Sequence, residues 1–108
     1  MIRELAPAEL VRWRADASRA APLVVDVREA WELERCPLVD ALHLPLHEIV
    51  RRRDELPRDR DLVIVCHHGV RSRLAASWLA SAGYAPVWNL AGGLEAWATD
   101  ADPTLPRY

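Results

Sequence analysis

The sequence predicts an α/β domain centred on a mostly parallel sheet of about four to five strands, with helices on both faces. Three observations lead there. Short β-branched apolar runs alternate with segments whose apolar residues recur at helical spacing, a pattern that folds into a parallel sheet covered by helices. One run, Leu62-Val63-Ile64-Val65, is apolar at every position, as a strand buried on both faces must be. The chain has 108 residues, enough for one domain with a real core.

The elements follow in order. Glu4–Arg14 has helical spacing, with Leu5, Leu10 and Trp13 on one side and Pro7 where a first turn starts. Ala21-Pro22 breaks it, and Leu23–Val27 reads as a buried strand. Glu29–Arg35 is a short helix stopped before Pro37. Ala41–Leu44 is a shorter strand ending at Pro45. Leu46–Leu56 is helical by the spacing of Leu46, Ile49, Val50 and Leu56. Pro57–Asp61 is a polar turn before the strand Leu62–Val65. Leu74, Ala75, Trp78, Leu79 and Ala82 then mark a helix with Gly83 just past its end. Val87–Leu90 is a strand, Ala91–Gly93 a turn, and Leu94–Ala98 a final helix. Trp78 and Trp97 are read as core anchors. The domain is read as residues 1–108, with its core at about 4–98 and 102–108 as a loose tail.

Composition excludes several classes. Hydrophobic residues are 51% and charged residues 28%, which excludes disorder and a coiled coil. A net charge of −2 gives no electrostatic reason for a nucleic-acid partner. No apolar run approaches the roughly 20 residues that span a bilayer, and the N-terminal segment lacks the apolar stretch of a signal peptide. A cytoplasmic protein is expected. Cys36 and Cys66 are too few for a disulfide scaffold.

In a parallel sheet, ligands bind beyond the carboxyl ends of the strands. Beyond Val65 stands Cys66-His67-His68-Gly69-Val70-Arg71-Ser72. A cysteine at a strand end, one tight loop before a helix, meets the unpaired N–H groups of the loop and first helical turn. Their positive potential favours thiolate over thiol. Arg71 adds a charge and a fork of donors. Gly69 allows the positive φ that turns successive N–H groups inward. Cys66 to Arg71 is six residues, one fewer than the C-x5-R loop of cysteine phosphatases. The smaller cradle suits a single sulfur atom better than a phosphoryl group.

Four motifs, from about Leu23 to Ala98, then carry a family resemblance: Asp26-Val27-Arg28-Glu29 with Trp31-Glu32; Ala41-Leu42-His43-Leu44-Pro45-Leu46; the Cys66–Ser72 loop; and Leu90-Ala91-Gly92-Gly93-Leu94-Glu95-Ala96-Trp97. In that order the chain resembles the single-domain rhodanese-like sulfurtransferases. The resemblance implies Cys66 as a nucleophile that becomes a persulfide, with Arg71 as its catalytic partner. It implies that the amides of His67, His68, Gly69, Val70 and Arg71 hold the outer sulfur, and Ser72 completes the substrate-binding loop. Two departures lie outside the loop: Cys36-Pro37 stands where many relatives carry Gly-His, and Asp40 where they carry a small Gly.

The implied partners are a small sulfur donor, thiosulfate or a persulfide, and a cyanide, thiol or protein-cysteine acceptor. No cofactor and no metal are implied; Cys36, His43 and His47 do not have zinc spacing. Asp26 and Arg28 are supporting residues, read first as an ion pair fixing a strand-to-helix turn. The rings of His67 and His68 line the loop mouth. Cys36 reads as a small buried residue, and Arg51-Arg52-Arg53 as a solvated helix face. The competing functions are a sulfur-carrier module docking one protein, a phosphatase or arsenate reductase on the same scaffold, and an inactive structural domain.

Overall fold

The computed structural model describes residues 2–84 and 86–108. The strands are β1 (Ile2–Leu5), β2 (Leu23–Asp26), β3 (Ala41–His43), β4 (Leu62–Val65) and β5 (Val87–Leu90). They form one sheet in the order β1-β5-β4-β2-β3, with every pair parallel. The helices are α1 (Pro7–Ala15), α2 (Ala30–Arg35), α3 (Ile49–Arg52), α4 (Val70–Ser81) and α5 (Gly93–Asp100). Among the described residues no helix is long and apolar enough to cross a membrane.

Strict alternation along the central strands divides the interior into two cores. Val25, Leu62 and Ile64 face one side with Ile49, Ala75, Ala76 and Leu79. Val24, Val63 and Val65 face the other with Leu10, Trp13 and Leu94. Trp78 and Trp97 pack against the cores but are only half-buried. Helix α4 ends in a Schellman turn: Tyr84 N bonds Leu79 O at 3.0 Å and Gly83 N bonds Ala80 O at 3.2 Å, with Gly83 at φ +96.

Three expectations need correction. The segment Ile2–Leu5 is an edge strand on β5, and the helix begins only at Pro7. Glu4 and Leu5 match a helical spacing, but Ala6 is extended (φ −73, ψ 150) and Pro7 fixes the first helical turn after it. The region Leu46–Leu56 is a 3₁₀ turn (Leu46–Glu48), the four-residue α3 and a second 3₁₀ turn (Arg53–Glu55). Only Ile49 and Leu56 of that stretch are buried, so packing does not enforce a continuous α period. Residues 102–108 are not loose: Leu105 and Tyr108 pack on the second core.

Candidate active site

The carboxyl ends of β2, β4 and β5 bring three connections side by side: Val27–Glu29, Cys66–Gly69 and Ala91–Gly92. The third supports the second. Leu94 N donates to Cys66 O at 2.9 Å and Glu95 N to His67 O at 3.0 Å. In a trans peptide the N–H points opposite to its C=O. Holding these two carbonyls toward α5 therefore turns the N–H groups of His67 and His68 the other way. Gly93 makes the approach possible: a Cβ there would lie 2.5 Å from His67 O and 2.6 Å from Cys66 O. Gly69 caps α4 in the left-handed region at φ +94, which bends the loop back over the sulfur.

Cys66 is 1% exposed. Its Sγ accepts from Gly69 N at 3.0 Å and Ser72 N at 3.3 Å. Among the described residues, the amides of His67, His68, Val70 and Arg71 have no hydrogen-bond partner. The loop thus presents six N–H groups, two on the sulfur and four unpaired, at the start of a 12-residue helix. Two of these donors, Gly69 N and Ser72 N, are aimed at the sulfur.

Behind the sulfur a polar chain runs from the buried Ser72 and Asn89 out to the exposed Glu4 and Arg73. Ser72 Oγ lies 3.2 Å from Cys66 Sγ and donates to Asn89 Oδ1 at 2.5 Å. Asn89 Nδ2 donates to Gly69 O at 3.2 Å and to Glu4 Oε1 at 2.9 Å, and Glu4 pairs with Arg73 at 3.1 Å. Burial opposes ionisation of Glu4, but the hydrogen bonds from Arg73 and Asn89 outweigh it and hold its pKa below the usual value.

Arg71 turns its guanidinium onto Glu32 in a two-pronged contact, Nη1–Oε2 2.6 Å and Nη2–Oε1 2.7 Å. Those bonds hold the Glu32 carboxyl down at about 2, against the opposing effect of burial, and in return raise the pKa of Arg71. Arg71 also borders an open cleft of about 430 Å³ lined by Val27, Glu29, Leu46 and His47.

The structure thus gathers Cys66, Gly69, Val70, Arg71 and Ser72 into one turn. The His67 ring is stacked between His68 and Tyr108, each 4.0 Å away. Burial, then the neighbouring His68, lowers its pKa. Asp26 and Arg28 form a buried ion pair at 2.8 Å. Their link to the loop runs through Tyr108, whose hydroxyl accepts from Arg28 Nη1 at 3.0 Å and donates to Glu32 Oε1 at 2.9 Å. Cys36 belongs to the core opposite that of Cys66, across the sheet, and its carbonyl accepts from Arg28 Nη2 at 2.8 Å. His43 Nε2 lies 2.7 Å from Arg28 O while the His47 ring faces solvent.

Four participants escape a reading of the sequence as site residues: Glu4, Glu32, Asn89 and Tyr108. Glu32 is masked by its other job, since it closes a capping box on Glu29 N at 2.9 Å. Asn89 carried a usable signal, a polar side chain inside an otherwise apolar strand. Glu4 and Tyr108 carry none, because their contacts are 69 to 85 residues away in sequence.

Comparison with known proteins agrees with this geometry. The family description "Rhodanese-like domain" matches residues 6–100. A protein of Allochromatium vinosum named sulfurtransferase is 41% identical over 97% of this chain and 96% of its own length. A thiosulfate sulfurtransferase GlpE of Pseudomonas syringae is 38% identical over 71% of this chain and 73% of its own. The crystal structure of a rhodanese-related protein from Thermoplasma volcanium superposes with a TM-score of 0.81 at 27% identity, over 92% of this chain and 93% of that one. By sequence along nearly its whole length, and by the parallel sheet that sets a cysteine before a helix, the chain belongs to the rhodanese-like domain family.

Proposed function

We propose that the protein is a sulfurtransferase that carries a sulfane sulfur on Cys66. One observation carries the reading: Cys66 Sγ lies under two amides at 3.0 and 3.3 Å, with four further loop amides unpaired. In the first half-reaction the thiolate attacks the outer sulfur of thiosulfate. The new S–S bond forms as the old one breaks, leaving Cys66–S–S⁻ and sulfite, which departs with the bonding electron pair. In the second, an acceptor thiolate or cyanide attacks the outer sulfur and the Cys66 thiolate leaves. This is covalent ping-pong chemistry.

The unpaired amides of His67, His68, Val70 and Arg71 are the donors for the outer sulfur, whose charge has no other partner in the loop. Thiosulfate as donor is supported by the name of the Pseudomonas syringae relative. Cys36 and Cys66 are both free and lie in separate cores, so Cys66 is not tied up in a bond to Cys36. The six-residue loop, closed onto the sulfur by Gly69 and Ser72, favours a one-atom cargo over a phosphoryl group.

A protein thiol is a second class of acceptor. Cys66 is 1% exposed, while Val70 in its loop and Leu74 one helical turn further along α4 are 69% and 64% exposed, apolar surface suited to a partner. Initial rates at varied thiosulfate and cyanide test the main reading. Parallel double-reciprocal lines, with no turnover by Cys66→Ser, support it. Intersecting lines, or a Cys66→Ser variant that still turns over, overturn it. Turnover with a protein dithiol far above that with cyanide selects the second acceptor class.

A further inference from the structure

Tyr108 stands where three parts of the site meet. Its hydroxyl bridges the two ion pairs, Asp26–Arg28 and Glu32–Arg71, from 80 and 76 residues away. Its ring stacks on His67 with centroids 4.0 Å apart and planes 18° from parallel, and meets Trp31 edge-on at 6.1 Å. The segment that brings it there is itself held. Asp102 N bonds Trp97 O at 2.8 Å, Asp102 Oδ1 accepts from Thr104 N at 3.1 Å, and Leu105 packs on the second core. Arg107 pairs with Glu95 at 3.3 Å and hydrogen-bonds Thr99. Residues 102–108 are a strap across the loop side of the domain.

The consequence for Glu32 is geometric. A carboxylate has about four lone-pair directions. Those of Glu32 receive Arg71 Nη1, Arg71 Nη2, Glu29 N and the Tyr108 hydroxyl. With each position filled by a fixed donor, the carboxylate has one orientation, and so has the guanidinium of Arg71. Burial, with the bond to Glu32, pushes the Tyr108 phenol up to about 12, so it stays a donor at neutral pH.

We infer that Tyr108 is a positioning residue for sulfur transfer, fixing Arg71 through Glu32 and holding the His67 end of the loop by ring stacking. The inference rests on Cys66 as the sulfur carrier. Removing the hydroxyl leaves Arg28 Nη1 and one Glu32 lone pair unfilled, which lets the Glu32–Arg71 pair move.

The test is a double-substitution cycle of Tyr108→Phe with Glu32→Gln. It is repeated with Arg71→Lys as the partner change, which keeps a cation at position 71. Two rates are read: sulfur transfer from thiosulfate to cyanide, and alkylation of Cys66 by iodoacetamide followed by peptide mass. Tyr108→Phe alone lowers both by at least about threefold, and adds less than about twofold on either partner background. Effects that multiply, or a Tyr108→Phe effect below about 1.5-fold, overturn the inference. A wild type that alkylates but never transfers sulfur overturns the sulfurtransferase reading instead, and the alkylation cycle still judges Tyr108's hold on Arg71. Tyr108→Ala reads the ring's share: with its cover gone, the His67 imidazole titrates at higher pH by NMR. An unmoved His67 titration overturns that part.

Discussion

Arg71 commits both prongs of its guanidinium to Glu32, at 2.6 and 2.7 Å, although it closes the loop that surrounds Cys66. The residue therefore acts first as the anchor of the loop, tying the start of α4 to α2. Its main-chain N–H is left for the cradle. The Glu32 carboxylate, a full opposite charge in contact with the guanidinium, offsets its field at the sulfur.

Glu32→Gln removes this anchor. It leaves Arg71 beside a neutral amide that accepts at one oxygen only. Sulfur transfer falls about tenfold, and stability falls by about 1–3 kcal/mol for the lost charged hydrogen bonds. Steady-state kinetics and urea denaturation measure the two. Unchanged transfer would show that Arg71 needs no anchor.

The same pair sets an acid limb. The Glu32 carboxyl lies at about 2 in the folded protein against an ordinary 4.5. A depressed carboxyl contributes stability that is complete above the unfolded value and is lost as pH falls through the folded one. Glu32→Gln therefore flattens stability against pH between about 4.5 and 2, with its penalty largest at pH 6 and above. Denaturant midpoints at a series of pH values check this, and a parallel acid limb in the variant contradicts it.

Gly93→Ala tests the buttress. The new Cβ meets two main-chain carbonyls at 2.5 and 2.6 Å, at φ +64, and backbone cannot swing aside as a side chain can. Separation of α5 from the loop releases the carbonyls that aim the amides of His67 and His68. The variant loses about 2–4 kcal/mol and most of its transfer activity. Thermal melting and persulfide formation report both. A folded variant with full activity would show that the buttress is dispensable.

Asp40 is the one described non-glycine residue at positive φ, at 65. It stands where the sequence comparison with rhodaneses expected a small glycine, and its conformation supplies the reason. Aspartate tolerates this region better than alanine. Asp40→Ala is destabilised by about 1 kcal/mol, and Asp40→Gly lies within about 0.5 kcal/mol of the wild type, strain relief offsetting the entropy of glycine. Equal effects of the two would exclude backbone strain.

The sheet and the cysteine loop were legible because their signals are local. Leu62–Val65 is apolar throughout, and Cys66, Gly69 and Arg71 stand within six residues. β1 was not, because Ile2–Leu5 is too short for period two to compete with the helical spacing of Leu5, Leu10 and Trp13. An edge strand with outward Arg3 and Glu4 also looks like a polar helix start. Glu4, Glu32 and Tyr108 were illegible for a related reason, since they acquire their roles from partners that only the finished fold brings near; Asn89 was marked only by being polar inside an apolar strand.

Whether the amide cradle holds a sulfur atom on Cys66 is read from the intact mass of the reduced protein before and after thiosulfate, beside Cys66→Ser. The expected result is a gain of one sulfur atom that requires Cys66 and is removed by cyanide. A protein that gains no sulfur from thiosulfate or from a persulfide donor, and whose Cys66 resists alkylation, would contradict it and make Cys66 an inert core residue.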